Sequence, residues 1–299
     1  MKRLLTKSLI LLFAMSVLAC GNNEDKPDAS GVFEATEIIT SAEMPGKVVE
    51  LNISESQLLK KDEVVGLIDT IQLNLKKQQL EANKRSILAG RPDIPAQIAA
   101  TEKEIAKQEQ EKTRIENLLA GDVATQKQMD DISSILDVLN AKLRAQKSSL
   151  NRSTSSIYAQ SSALHAQIMQ IEDQIGRCHI KSPIDGTVLV KYAESGEMTG
   201  AGKPLFKIAD LSKIFLRAYV SGDQLSQIQL NQNVMVRTDE WDDFKTTDGK
   251  ITWISDKAEF TPKAIQTKNE RANKVYAIKV VVENDGSYKI GMYGEVVLD

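Results

Sequence analysis

Between Met129 and Ile171 every seventh residue is apolar: Met129, Leu136, Leu143, Leu150, Ile157, Leu164 and Ile171. The positions three residues further on start apolar at Ile132 and Leu139, then turn polar at Gln146, Ser153, Gln160, Gln167 and Gln174. No Pro or Gly falls in 124–175. A seven-residue repeat with so narrow an apolar seam predicts a long helix that lies against another helix rather than inside a core. At about 1.5 Å per residue, about fifty residues make a rod of roughly 75 Å.

The preceding segment supplies the partner. Leu73, Leu80, Ile87 and Ile94 keep the same spacing, Ile98 and Ile105 continue at the companion phase, and Ile115, Leu118 and Leu119 close the run. Gly90-Arg91-Pro92-Asp93-Ile94-Pro95 must break or kink it, because Pro lacks the N–H donor and its ring crowds the turn before it. Two ascending helices are expected, over about 71–89 and 96–119. Gly121-Asp122 marks the reversal, and Thr125 is placed to cap the returning helix, which is expected to stop at Ile175-Gly176.

Two short segments flank this hairpin and repeat one another. Gly46, Val48, Ser56, Asp62, Val65 and Ile68 match Gly186, Val188, Gly196, Gly202, Leu205 and Ile208, each pair 140 residues apart with no gap. β-Branched residues between turn formers read as short strands, and two matching halves predict a small quasi-symmetric sandwich. Beyond Leu211 further strands are expected at 214–220, 234–236, 249–254, 275–282 and 291–298, with a short helix between Gly222 and Ile228; together they predict a small β-barrel. The fold class is therefore α+β, multidomain and elongated.

Composition adds limits. The 299 residues carry a net charge of −3 with the basic residues dispersed, so nucleic-acid binding is not expected. Lys2, Arg3 and Lys7 precede an apolar run at 9–18 that is too short to span a bilayer, as an export signal does. No Ser/His/Asp, Cys/His or paired-carboxylate set falls where it would form a cleft, so no enzyme, cofactor or metal is expected. Cys178-His179 sits where helix passes into strand, so the two side chains should point apart. His165 is expected on a solvated face. Met44, Met129, Met169, Met198, Met235 and Met292 are too scattered for a metal relay.

Several resemblances sharpen this picture. Val17-Leu18-Ala19-Cys20-Gly21 resembles the lipobox of bacterial lipoproteins, which implies that Cys20 is acylated and becomes the mature first residue. The repeated halves resemble the biotinyl/lipoyl half-motif pair, with Ser56 and Asp62 where glycines are usual. The hairpin takes the place of the turn that would bear a modified Lys, so cofactor carriage is rejected. Arg114, Leu118 and Thr125 have the spacing R-x3-L-x6-[ST], similar to the tip motif by which periplasmic adaptors meet outer-membrane channels. The order of lipobox, half-lipoyl, hairpin, half-lipoyl and barrel resembles the HlyD-type membrane fusion proteins, the adaptor subunits of tripartite exporters. Glu259-Phe260-Thr261-Pro262-Lys263, with Gln266-Thr267 and Glu270-Arg271, is similar to the subgroup that works with ABC-type exporters, and Gly291-Met292 matches the end of the barrel.

The resemblance implies a division into signal peptide (1–19), acylated start and tether (20–30), a strand joining the barrel or a membrane-proximal remnant (31–41), first half-lipoyl (42–69), hairpin (70–177, tip 114–125), second half-lipoyl (178–210) and barrel (211–299). A membrane-proximal domain after the barrel is expected to be small or absent. The implied location is the periplasm, and the implied partners are an inner-membrane transporter, an ABC permease by preference, an outer-membrane channel, a membrane, the inner one favoured, through the lipid on Cys20, and further copies of the chain in a ring of about six. The competing expectation is a structural envelope lipoprotein that scaffolds a complex without transport.

Overall fold

The computed structural model describes residues 27–240, 243–260 and 274–298. Cys20, the signal peptide and most of the tether lie outside the described residues, as do Trp241, Asp299 and the motif residues Thr261, Pro262, Lys263, Gln266, Thr267, Glu270 and Arg271.

The strands of the sandwich are β2 (Glu37–Ser41), β3 (Gly46–Leu51), β4 (Leu58–Leu59), β5 (Val64–Ile68), β6 (His179–Lys181), β7 (Gly186–Lys191), β8 (Met198–Thr199) and β9 (Pro204–Ala209). They form two sheets of order β2-β9-β7-β4 and β6-β5-β3-β8. Each sheet takes strands from both halves of the chain, and a shift of 140 residues maps one sheet onto the other. The backbone bonds repeat accordingly. Ser56 N–H donates to Val188 O at 2.8 Å and Gly196 N–H to Val48 O at 2.7 Å. Asp62 N–H reaches Ser182 O and Gly202 N–H reaches Ala42 O, both at 2.8 Å. Ser56 (φ 69°) and Asp62 (φ 64°) adopt the left-handed conformation of their counterparts Gly196 (φ 97°) and Gly202 (φ 83°), so the departure from the glycine pattern leaves the turns intact. Between the sheets lie Val48, Ile68, Val188, Leu205, Phe206 and Ile208, all fully buried.

The hairpin leaves this sandwich from Ile68 and returns at His179. Helix α1 spans Ile71–Ala89, α2 Ile94–Ala120 and α3 Gln126–Arg177. Asp93 caps α2 by accepting from Ala96 N–H, and Pro95 falls in the first turn, where its missing donor is not needed. The ascending arm is therefore two helices separated by a capped break rather than one kinked helix. Gly176 does not stop α3; the helix continues to Arg177, with Cys178 as its last half-turn. Arg177 in that final turn suits the negative end of the helix dipole.

The seam also drifts from strict heptads. Ile132, Leu136 and Leu139 are buried as the spacing predicts, but further along the protected companions are Thr154, Ser161 and Ile168 rather than Ser153, Gln160 and Gln167. A straight helix turns once per 3.6 residues and so slips about 20° per heptad against a 3.5 repeat. Over a helix of 52 residues the contact line moves by one position.

The third unit is a closed barrel of β1 (Ala29–Glu34), β10 (Lys213–Ser221), β11 (Asn233–Glu240), β12 (Asp243–Ile254), β14 (Lys274–Glu283) and β15 (Tyr293–Val297), with β13 (Glu259–Phe260) at its side. The order is β10-β1-β15-β11-β12-β14, and β14 pairs back to β10 from Lys213–Glu283 to Ser221–Val275. A short helix α4 (Gly222–Leu225) follows β10. Inside lie Phe33, Leu216, Val236, Ile251, Val280 and Val296. Segment 31–41 is split between units: β1 is a barrel strand held by β10 and β15, whereas β2 pairs with β9 in the sandwich. Gly31 permits the close approach of β10, since a Cβ there would lie 1.9 Å from Arg217 O. Because β1 runs into β2 at Ala35-Thr36, the chain before Ala29 leaves from the end of β1 away from the sandwich.

Candidate functional site

The far end of the hairpin is built by two caps placed back to back. Helix α2 ends in a Schellman turn: Val123 N–H donates to Leu118 O at 2.9 Å and Asp122 N–H to Leu119 O at 3.0 Å, with Asp122 left-handed at φ 58°. Ala124 N–H also reaches Leu118 O, at 3.3 Å. Thr125 then opens α3 with a capping box, its side chain accepting from Gln128 N–H while the Gln128 side chain accepts from Thr125 N–H at 2.8 Å. The reversal is thus fixed by hydrogen bonds across only five residues between Ala120 and Gln126.

The three residues singled out from the sequence occupy different roles here. Arg114 and Leu118 lie one turn apart on the same face of α2. Arg114 is exposed and bonded to Glu111 Oε1 at 2.8 Å. An exposed pair of this kind contributes about 0–1 kcal/mol, so the guanidinium exchanges readily onto another acceptor. Leu118 is 39% exposed, and its carbonyl gathers the turn. Thr125 spends its hydroxyl on the cap, bonding Gln128 Oε1 at 3.2 Å, so its part is to shape the loop. Sequence reading missed Val123, which stands 75% exposed at the apex. A valine between the Gly-Asp reversal and the Thr cap was its signal. The tip therefore presents two apolar side chains and a mobile cation on a rigid turn, an arrangement suited to docking.

Elsewhere the chemistry is structural. Cys178 is 1% exposed, and burial, with Asp69 nearby, pushes its thiol above the ordinary range. His179 is exposed with Nδ1 at 3.0 Å from Ile175 O, so the two do not form a dyad. His165 is exposed on α3. Among the described residues no cluster of His, Cys, Asp and Glu could hold a metal ion, and no helix is long and apolar enough to cross a membrane.

No family model matches the chain. A UPF0194 membrane protein of Citrobacter koseri is 37% identical over 112 residues, which is 37% of this chain and 34% of the relative. The chain thus matches about a third of the length of that relative. MacA from Actinobacillus actinomycetemcomitans superposes with a TM-score of 0.53 at 19% identity, covering 91% of this chain and 78% of MacA. A MacA-MexA chimera carrying the α-hairpin domain of Pseudomonas aeruginosa MexA gives 0.53 at 21%, covering 91% and 80%. With nine-tenths of the chain superposed, the split sandwich, the inserted hairpin and the closed barrel together have the fold of MacA.

Proposed function

We propose that this protein is a lipid-anchored periplasmic adaptor of a tripartite exporter. In this reading the barrel and sandwich seat on an inner-membrane transporter, an ABC permease by preference, and the hairpin tip meets an outer-membrane channel. The observation that carries the reading is the separation of two ends. The chain enters the barrel at the end of β1 away from the sandwich, while the hairpin leaves the sandwich as a rod crowned by Leu118 and Val123. At about 1.5 Å per residue α3 is roughly 78 Å long, a reach that a periplasm-spanning bridge needs. From Cys20 to Asp28 the tether can span at most about 29 Å, which keeps the barrel close to the membrane that holds the lipid. The role is mechanical, with no catalytic step. Copies packed side by side in a ring of about six would enclose a conduit that one two-helix hairpin cannot.

The experiment is a mild-detergent pull-down of the lipidated protein, read by mass spectrometry, for the native chain and for Arg114→Ala, Leu118→Asp and Cys20→Ser. The native chain should bring down a permease and an outer-membrane channel. Leu118→Asp and Arg114→Ala should lose the channel and keep the permease, and Cys20→Ser should leave the membrane fraction. Recovery of neither partner, with chemical cross-linking, overturns the adaptor reading in favour of a scaffold.

A further inference from the structure

We propose that the hairpin carries an elbow, where the break Gly90–Asp93 of the ascending arm meets α3 at Tyr158 and the adjoining stretch 147–157 of α3 faces the start of α2, and that its outer and inner halves reorient there as two rods. Register across the hairpin fixes the level. Lys77 meets Glu172 at 2.7 Å, Arg91 Nη1 donates to Tyr158 OH at 2.6 Å, and Thr101 Oγ1 donates to Gln146 Oε1 at 3.0 Å. The stretch between the last two contacts is Lys147-Ser-Ser-Leu-Asn-Arg-Ser-Thr-Ser-Ser-Ile157.

Three features adjoin at this height. First, the ascending arm has no continuous helix: Gly90 closes α1 and Asp93 opens α2, so α3 alone bears the stiffness of the rod. Second, α3 is at its weakest there. Ser, Thr and Asn are poor formers of helix interiors because their side chains compete for backbone bonds, and seven of them fall within these residues. Third, packing is thin. Of the described residues, α3 buries Ile132, Leu136 and Leu139 on the outer side and Ile168 on the inner side, with only Ser161 buried between. Ile98 is the buried apolar residue of the ascending arm at this level, and the cross-arm links are polar: Thr101–Gln146, Lys147–Glu102 and Arg91–Tyr158. Thr154 Oγ1 is buried on the seam and, among the described residues, lacks a hydrogen-bond partner. Sparse apolar contact, poor propensity and polar links are the conditions for local opening.

The elbow stands on the hairpin alone and does not depend on what the tip binds. Hydrogen exchange on the full chain tests it. Amides of 147–157 should exchange at least about tenfold faster than those of 129–143 and 164–175. Protection equal within about twofold along all of α3 overturns the proposal. A second measurement guards against an uninformative peptide map. Spin labels at exposed Asn83 and Lys107 span the elbow, and labels at Lys103 and Glu116 lie within α2. The spanning pair should give a distance distribution clearly broader than the control. In the variant Ser149→Ala/Ser153→Ala/Thr154→Leu/Ser156→Ala it should narrow to the width of the control. Equal widths in the native chain refute two-rod motion.

Discussion

The pseudo-twofold sandwich makes a prediction of opposite signs at equivalent places. Ser56 and Gly196 occupy matching turns, both left-handed, at φ 69° and 97°. An L residue in that conformation is strained by roughly 1–2 kcal/mol, and a Gly→Ala change recovers about 0.4–1 kcal/mol by narrowing the unfolded ensemble. A Cβ on Gly196 would meet nothing within 4 Å, so no steric term is added. Gly196→Ala should therefore destabilise the sandwich by about 0.5–1 kcal/mol, and Ser56→Gly should stabilise it by about as much. The backbone bonds Ser56 N–H to Val188 O and Gly196 N–H to Val48 O survive both changes. The sandwich segments contain no Trp, so tryptophan fluorescence does not see them. Amide exchange of β5 and β9 does, and about 1 kcal/mol changes protection about fivefold. Protection should fall two- to fivefold in Gly196→Ala and rise two- to fivefold in Ser56→Gly, by roughly that scale of energy. Shifts of the same sign, or none beyond twofold, would refute the equivalence of the two turns.

Three further outcomes follow from local geometry. Thr125→Ala removes the capping box and should weaken the first turn of α3 by about 1 kcal/mol, seen as faster exchange at 126–130, while Thr125→Ser restores it. The Glu172 carboxyl is held below its ordinary value of 4.5 by the hydrogen bond from Lys77, and the Lys77 ammonium is held above 10.5 by the same bond. The contact supports the hairpin base between those values; it is lost as pH falls below 4.5 through the lowered carboxyl value or rises above 10.5 through the raised ammonium value. Glu172→Gln should loosen 165–177 at pH 7, and its difference from the native chain should shrink progressively as pH falls below 4.5, by exchange measured along that series. Cys178, buried with its thiol pushed upward, should react with a maleimide only after unfolding, and prompt labelling of the folded protein would contradict the packing of the hairpin root.

Much of this architecture is written locally. The 140-residue repeat was legible because each half carries its own turn residues, and Ser56 and Asp62 stand in for glycine by adopting its conformation. The long helices were legible from periodicity, and Thr125 from its cap chemistry. What escaped depended on distant or cumulative geometry. The drift of the seam from Ser153 to Thr154 arises only over many turns. Barrel closure pairs Lys213 with Glu283, and nothing in either strand alone announces the other. The polar opening of β12, Asp243 to Asp248, lacks the alternation of a half-buried strand yet pairs along β11. At the tip, Arg114 and Leu118 could be found by spacing, whereas Val123 became visible only once the Schellman turn set it at the apex.

The bridging role rests on what touches that apex. A photo-crosslinking residue placed at Val123 in living cells, with Val138 on the exposed shaft as control (67% exposed), reads the contact directly. The account predicts an adduct between position 123 and an outer-membrane channel, lost in Leu118→Asp and absent from position 138. Adducts from position 123 only to other copies of this chain, or to no envelope protein, would contradict it.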